Sequence, residues 1–334
     1  MEKFKTDERY QVIIETFNKS AKDDLKKFLN SFSYCKKFLL ISDYCINDKT
    51  KRNDLYSFVL IPGSELENIS NTIKKQLITD YKHITKLSDE NTKALKDLPY
   101  LAINIIIPHK FQDILKVSNY DQKTKNDFAN IIQNTLKMLD LWIKNNPERK
   151  ELYNNYKIKY KKLLQESKKN SFNINLYLRS FFTSTIAGYI IHEVEKYTNS
   201  NTLGWGSDRD SMLSSNDGML YDNFLIQYNG FSKNDEDWVD NDNCELNILI
   251  PEEKGDNWYD EYIRLPDYCA GSLSTMFLNS EWEVADIELT ENQITKAKEV
   301  LKAINTHCIN IILKYIENND NTKTYNAGRL KFNP

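Results

Sequence analysis

Histidine, glycine and cysteine are all sparse in this chain, and each shortage excludes a class of chemistry. The four histidines, His83, His109, His192 and His307, show no H-E-x-x-H spacing, so a zinc-peptidase helix is absent. Among nine glycines there is neither a G-x-x-x-x-G-K-[ST] loop nor a G-x-G-x-x-G turn, which removes the common nucleotide cradles. The five cysteines, Cys35, Cys45, Cys244, Cys269 and Cys308, are odd in number and without C-x-x-C spacing. That pattern argues against a disulfide framework and a zinc knuckle, and fits a reducing cytoplasm. Missing too are the apolar core of a signal peptide and any apolar run long enough for a bilayer, so a cytoplasmic protein without membrane contact is expected. A formal net charge of -3 provides no global basic field for nucleic acid.

Local charge is another matter. Lys144 to Lys169 carries nine Lys or Arg against three Glu, with Tyr153, Tyr156 and Tyr160 interleaved. Two readings stand: a phosphate-following surface with tyrosines for base stacking, or a solvated helical hairpin with its tyrosines packed inward. On the first reading Lys157, Lys159, Lys161, Lys162 and Arg209 are nucleic-acid contacts. Asp235 to Glu261 carries eleven acidic residues against one lysine, without the ligand spacing of a calcium loop.

Periodicity predicts an α/β chain. Apolar residues at helical spacing between Glu8 and Phe32 open it with one or two helices. Lys37 to Asp43 and Leu55 to Ile61 read as strands around a polar loop, and Leu101 to Pro108 as a third, central strand with Asn104 its one polar residue. Helices are predicted from Ser64 to Leu98, Thr124 to Asn146, Glu151 to Gln165 and Asn175 to Tyr197. A fourth strand runs from Thr202 towards Asp210, a helix follows from Met219, and Cys244 to Pro251 is a fifth strand. Small residues after Pro266 describe a close-packed helix beginning at or before Asp267. The capping box at Thr290 and Gln293 starts a last helix expected to reach Glu317, followed by a loosely ordered tail to Pro334.

Carboxylates end several of these elements. Asp43 closes the first strand, and alternation puts Gly206, Asp208 and Asp210 on one face of the fourth. Asp267 sits in the first turn of the late helix. Each has a plainer explanation, Asp43 as a turn residue and Ser207 to Asp210 or Asp267 as helix caps. Glu193, Glu195 and Asp222 are further carboxylates, expected at the surface.

Leu265-Pro266-Asp267-Tyr268-Cys269-Ala270-Gly271 and Ser42-Asp43-Tyr44-Cys45 together resemble motifs of the RNase H-like superfamily. More narrowly, they are similar to those of a bacterial family of unknown function, with an Asp-Glu-Ser-Gly-type first strand and an Ala-Asp-x-x-Ala-Gly-type late helix. The opening match keeps the aspartate and loses the Glu, Ser and Gly. The resemblance covers roughly Lys37 to Leu278. It implies a mixed sheet of about five strands in a core from 37 to 285, with a helical insertion at about 111–170. Helical extensions are expected at 1–36 and 286–334. It further implies Mg²⁺ or Mn²⁺ held by Asp43, Asp208 and Asp267, with Asp210 as an alternate. The expected function is a nuclease on DNA or RNA, in a setting such as bacterial defence or mobile-element biology. The alternative is an inactive binding or regulatory subunit of the same fold, with a protein partner.

Overall fold

The computed structural model describes residues 7–117, 121–215, 218–238, 244–252, 254–279, 281, 287–319 and 322–332. Two helices open the chain, α1 (Glu8–Ser20) and α2 (Lys22–Ser31), and the apolar run after them becomes β1 (Lys37–Cys45). β1 pairs antiparallel with β2 (Asn53–Pro62), which pairs antiparallel with β3 (Leu101–Pro108). All ten residues of β2 and all eight of β3 are buried, as central strands covered on both faces must be. Between them lie α3 (Leu66–Gln76) and α4 (Asp89–Asp97), the latter started by a capping box at Ser88 and Asn91.

The remaining sheet comes from far along the chain. β4 (Thr202–Ser207) lies parallel to β1, and β5 (Glu245–Leu249) parallel to β4. β6 (Cys308–Glu317) lies parallel to β3 and forms a hairpin with β7 (Lys323–Leu330). The sheet is therefore seven-stranded, in the order β5-β4-β1-β2-β3-β6-β7, rather than five-stranded. The last two strands also correct the expected C-terminal helix and tail. Helix α11 (Glu291–Ile304) stops at a single 3-10 turn, Asn305–His307, and the chain continues extended. Ile309, Ile311, Ile312 and Ile316 are β-branched and suit the strand, whereas the helical stripe through Ile312 rested on spacing alone. β7 is an edge strand with a polar sequence, which is why it resembled a tail.

The chain divides into two compact units, Met1–Ile114 with Ile186–Arg209 and Tyr228–Pro334, and Leu115–Thr185 with Asp210–Gln227. The first holds the whole sheet together with the N-terminal helices and C-terminal strands. One sheet face buries Leu39, Ile41, Val59, Ala102 and Ile106 against α3, α4, α11 and α10 (Arg264–Thr275). A polar line crosses that face: Ser57 Oγ donates to Asn104 Oδ1 at 2.7 Å, and Asn104 Nδ2 donates to Asn310 Oδ1 at 2.9 Å. These residues are in register on β2, β3 and β6 and are all buried.

The second unit is helical. It is built on α5 (Gln122–Asn145), α6 (Lys150–Glu166) and the first part of α7 (Ile174–Lys196), with short α8 (Ser211–Ser214) and the start of α9 (Met219–Asn234). Its core gathers Phe128, Ile132, Leu139, Trp142, Tyr153 and Tyr160.

Candidate carboxylate site

Register decides which carboxylates share a face. On β1, Leu39 and Ile41 face the α10 side of the sheet, and two residues on the same alternation carries Asp43 to that side. β1 pairs with β4 as Leu39 with Gly204 and Ile41 with Gly206, so continuing the ladder sets Asp43 beside Asp208. The ladder does continue, because Asp208 N–H donates to the Ser42 carbonyl at 3.0 Å. Gly206 permits the close packing beneath, where a Cβ would lie 3.2 Å from Ile41 Cδ1. The opposite face is held by Trp205, whose Nε1 donates to Ser42 Oγ at 3.0 Å.

Helix α10 brings the third carboxylate across the same face, packing on β1, β2 and β3. Asp267 lies in its first turn, where Oδ2 accepts from Tyr81 N–H at 2.7 Å. Tyr81 reaches that position because residue 271 is glycine: a Cβ there would lie 2.0 Å from the Tyr81 ring. Burial raises the Asp267 pKa above its ordinary value, the Tyr81 amide and Arg264 oppose that, and the Asp208 charge adds to it. On β1, burial pushes the nearby Cys45 thiol up to about 11, so it stays protonated at neutral pH. The donors are carboxylate oxygens, a set suited to Mg²⁺ or Mn²⁺.

Asp210 leaves this arrangement. It is exposed and caps α8, its Oδ1 accepting from Met212 N–H at 2.8 Å. Arg209 turns outward and ties down the segment after β5, donating to the Glu252 carbonyl at 3.1 Å and pairing with Asp260 at 3.4 Å.

The basic helix resolves in favour of inward tyrosines. Tyr153, Tyr156 and Tyr160 are buried in the second unit's core, so none offers a ring for stacking. They recur every three or four residues and line one side of α6. Lys157 pairs with Asp140, and Lys159 with Asp222 at 2.6 Å, while Lys161 and Lys162 are exposed. Asp222 is buried rather than at the surface, since Lys159 compensates its charge.

Glu193 and Glu195 are buried as well, contrary to the surface expectation. Glu193 belongs to the group His192, Glu193 and Asp235, in which one ligand atom from each lies within 4.8 Å of the others. Asp43, Asp208 and Asp267 form no such group: among the described residues their oxygens do not all lie within 4.8 Å of one another. Charge explains the cluster without a metal. Lys196 Nζ donates to both Asp235 oxygens at 2.8 and 2.6 Å, and Lys22 lies 3.5 Å from Glu193 Oε2. His192 Nε2 lies 3.0 Å from Asp235 Oδ2 and Nδ1 lies 3.2 Å from Ser232 Oγ, and burial lowers its pKa towards the neutral ring. Two carboxylates matched by two ammoniums form a structural ion network. The 43-residue separation of His192 and Asp235 gives no local spacing from which to foresee it.

No family model matches the chain, and no curated protein or solved structure matches it at the significance required.

Proposed function

We propose that the protein is a metal-dependent phosphodiesterase acting on DNA or RNA, with Asp43, Asp208 and Asp267 as its metal-holding carboxylates. The observation that carries this reading is the common face of the three. Asp43, two residues before the end of β1, is the register neighbour of Asp208, just past β4, and Asp267 comes from α10, which packs on β1, β2 and β3. A mixed sheet with aspartates near the C-terminal ends of its first and fourth strands, although β1 runs on to Cys45, and a third on a late helix supports the RNase H-like reading.

Bound divalent ions supply Lewis acidity at the scissile phosphate and an activated water. The chain's contribution is positional. Parallel pairing fixes Asp43 against Asp208, and the Tyr81 amide orients Asp267 while leaving its other oxygen for a cation. Because the Asp267 pKa is raised, metal binding must expel whatever proton it holds, so affinity increases with pH through that titration. Lys161 and Lys162 on α6 are carried as separate contacts for a phosphate backbone.

Calorimetric titration with Mg²⁺ and Mn²⁺, paired with cleavage assays on single- and double-stranded DNA and RNA, tests the reading. Wild type should bind and cleave, and Asp208→Ala should lose both. Metal binding unchanged by that substitution, or no cleavage of any of the four polymers, would overturn the nuclease and leave a non-catalytic binding or regulatory protein.

A further inference from the structure

Two ammoniums converge on the residue that orients Asp267. Lys296, on α11, donates to the carbonyls of Tyr81 and Ile84 at 3.0 and 2.9 Å, and its Nζ stands 4.2 Å from the Tyr81 ring centroid. Lys51, in the loop between β1 and β2, approaches the same ring at 5.8 Å and donates to Thr275 Oγ1 at 3.3 Å. Among the described residues neither lysine forms an ion pair, although Lys74, Lys157, Lys159, Lys196 and Lys323 all do. Two other cations act on Asp267, Arg264, which is committed to Asp80, and the exposed Lys82. Asp48, in the loop with Lys51, accepts from the Thr50 amide and hydroxyl, and its charge also acts on Lys51.

Two like charges beside one ring favour an anion near them, and Asp48 and Asp267 act on them without forming an ion pair with either. Burial, and after it the Lys51 charge, pulls the Lys296 pKa below its usual value, while Asp267 acts the other way. Lys296 is fixed by two carbonyls and the ring face, which gives a rigid charge. Lys51 has one long hydrogen bond and a flexible stem, so it can reorient towards a ligand.

We propose that Lys51 and Lys296 form a phosphate subsite beside the carboxylates, receiving a backbone phosphate of a single-stranded nucleic acid. The placement rests on the proposed nuclease site, since a strand whose scissile bond lies at Asp43 and Asp208 must set a neighbouring phosphate near Tyr81. The chemistry of the subsite does not require metal. Attraction between a phosphate and two ammoniums is present in either case, and loss of one contact lowers the salt slope of binding by about 0.7 for a single strand.

The test measures anisotropy of a labelled single-stranded oligonucleotide with full-length protein in EDTA across a salt series. Lys51→Gln should weaken binding on the order of tenfold at low salt and flatten the slope by about 0.7. Lys296→Gln should act in the same direction, and its melting curve shows whether the Tyr81 turn has loosened. Lys302→Gln, exposed on the same helix, serves as the control for general charge loss and should change little. Wild-type binding by Lys51→Gln, or an equal loss in Lys302→Gln, overturns the subsite. Unimpaired Mg²⁺-dependent cleavage together with wild-type binding by Lys51→Gln would sink the subsite and leave the nuclease standing. A Lys51-dependent affinity without any metal-dependent cleavage would do the reverse.

Discussion

Gly271 and Asp267 show how much rests on single side chains. Gly→Ala within a helix ordinarily stabilises by about 0.5–1 kcal/mol. At Gly271 the sign should invert, because the new Cβ would overlap the Tyr81 ring and force ring or helix to move, at about 1–3 kcal/mol. Urea unfolding of Gly271→Ala measures this, and unchanged stability would show that Tyr81 moves aside freely. Asp267 makes the opposite prediction. Its folded pKa is raised above the usual 3.8, so its contribution to stability is complete below the unfolded value and is lost as pH rises through the folded one. Asp267→Asn keeps an oxygen for the Tyr81 amide and removes that loss. The variant should therefore gain on wild type in melting temperature from pH 4 to pH 8 while losing metal binding, and equal melting curves at pH 8 would refute the argument. At this scale the sequence was partly legible. Alternation placed Asp43 and Asp208 on one face near strand ends, although β1 runs two residues past Asp43, and the proline and small residues placed Asp267 in a first turn. Nothing local announced Tyr81, Lys51 or Lys296, whose partners lie up to 224 residues away.

Among the elements, strands buried on both faces were readable because their apolar runs are short and closed by proline or polar loops. The last two strands were not, since a β-branched segment directly after a capped helix carries that helix's momentum in any periodicity reading. What settles β6 is its pairing, including Asn310 in line with Asn104 and Ser57. Asn104→Ala would orphan the Asn310 carbonyl in a buried sheet and leave the Ser57 hydroxyl only the Cys269 thiol, so a loss of about 1–3 kcal/mol is expected by urea unfolding. A loss below 1 kcal/mol would mean that the neighbours find other partners. On the helical side, the tyrosines of α6 were ambiguous because their spacing fits a core stripe and a binding stripe equally, and only the facing helix distinguishes them.

For the whole molecule, charge is uneven although the total is -3: +6 over Lys144 to Lys169 and -10 over Asp235 to Glu261. Nucleic-acid binding, if it follows the proposed contacts, should fall steeply with salt, and Lys161→Glu with Lys162→Glu should reduce both affinity and slope. An affinity indifferent to salt would count against any phosphate-based contact. Among the described residues no helix is long and apolar enough to cross a membrane.

The parallel pairing of β3 with β6 has a further consequence, for biosynthesis. β3 ends at Pro108 and its outer neighbour begins at Cys308, so during translation one edge of a wholly buried, isoleucine-rich strand stays bare while some 200 further residues are made. At roughly 5–20 residues per second that interval lasts about 10–40 s, ample time for edge-to-edge association between nascent chains. Chains halted before Cys308 should therefore collect in the insoluble fraction and bind chaperones, whereas chains halted after Glu317 should not.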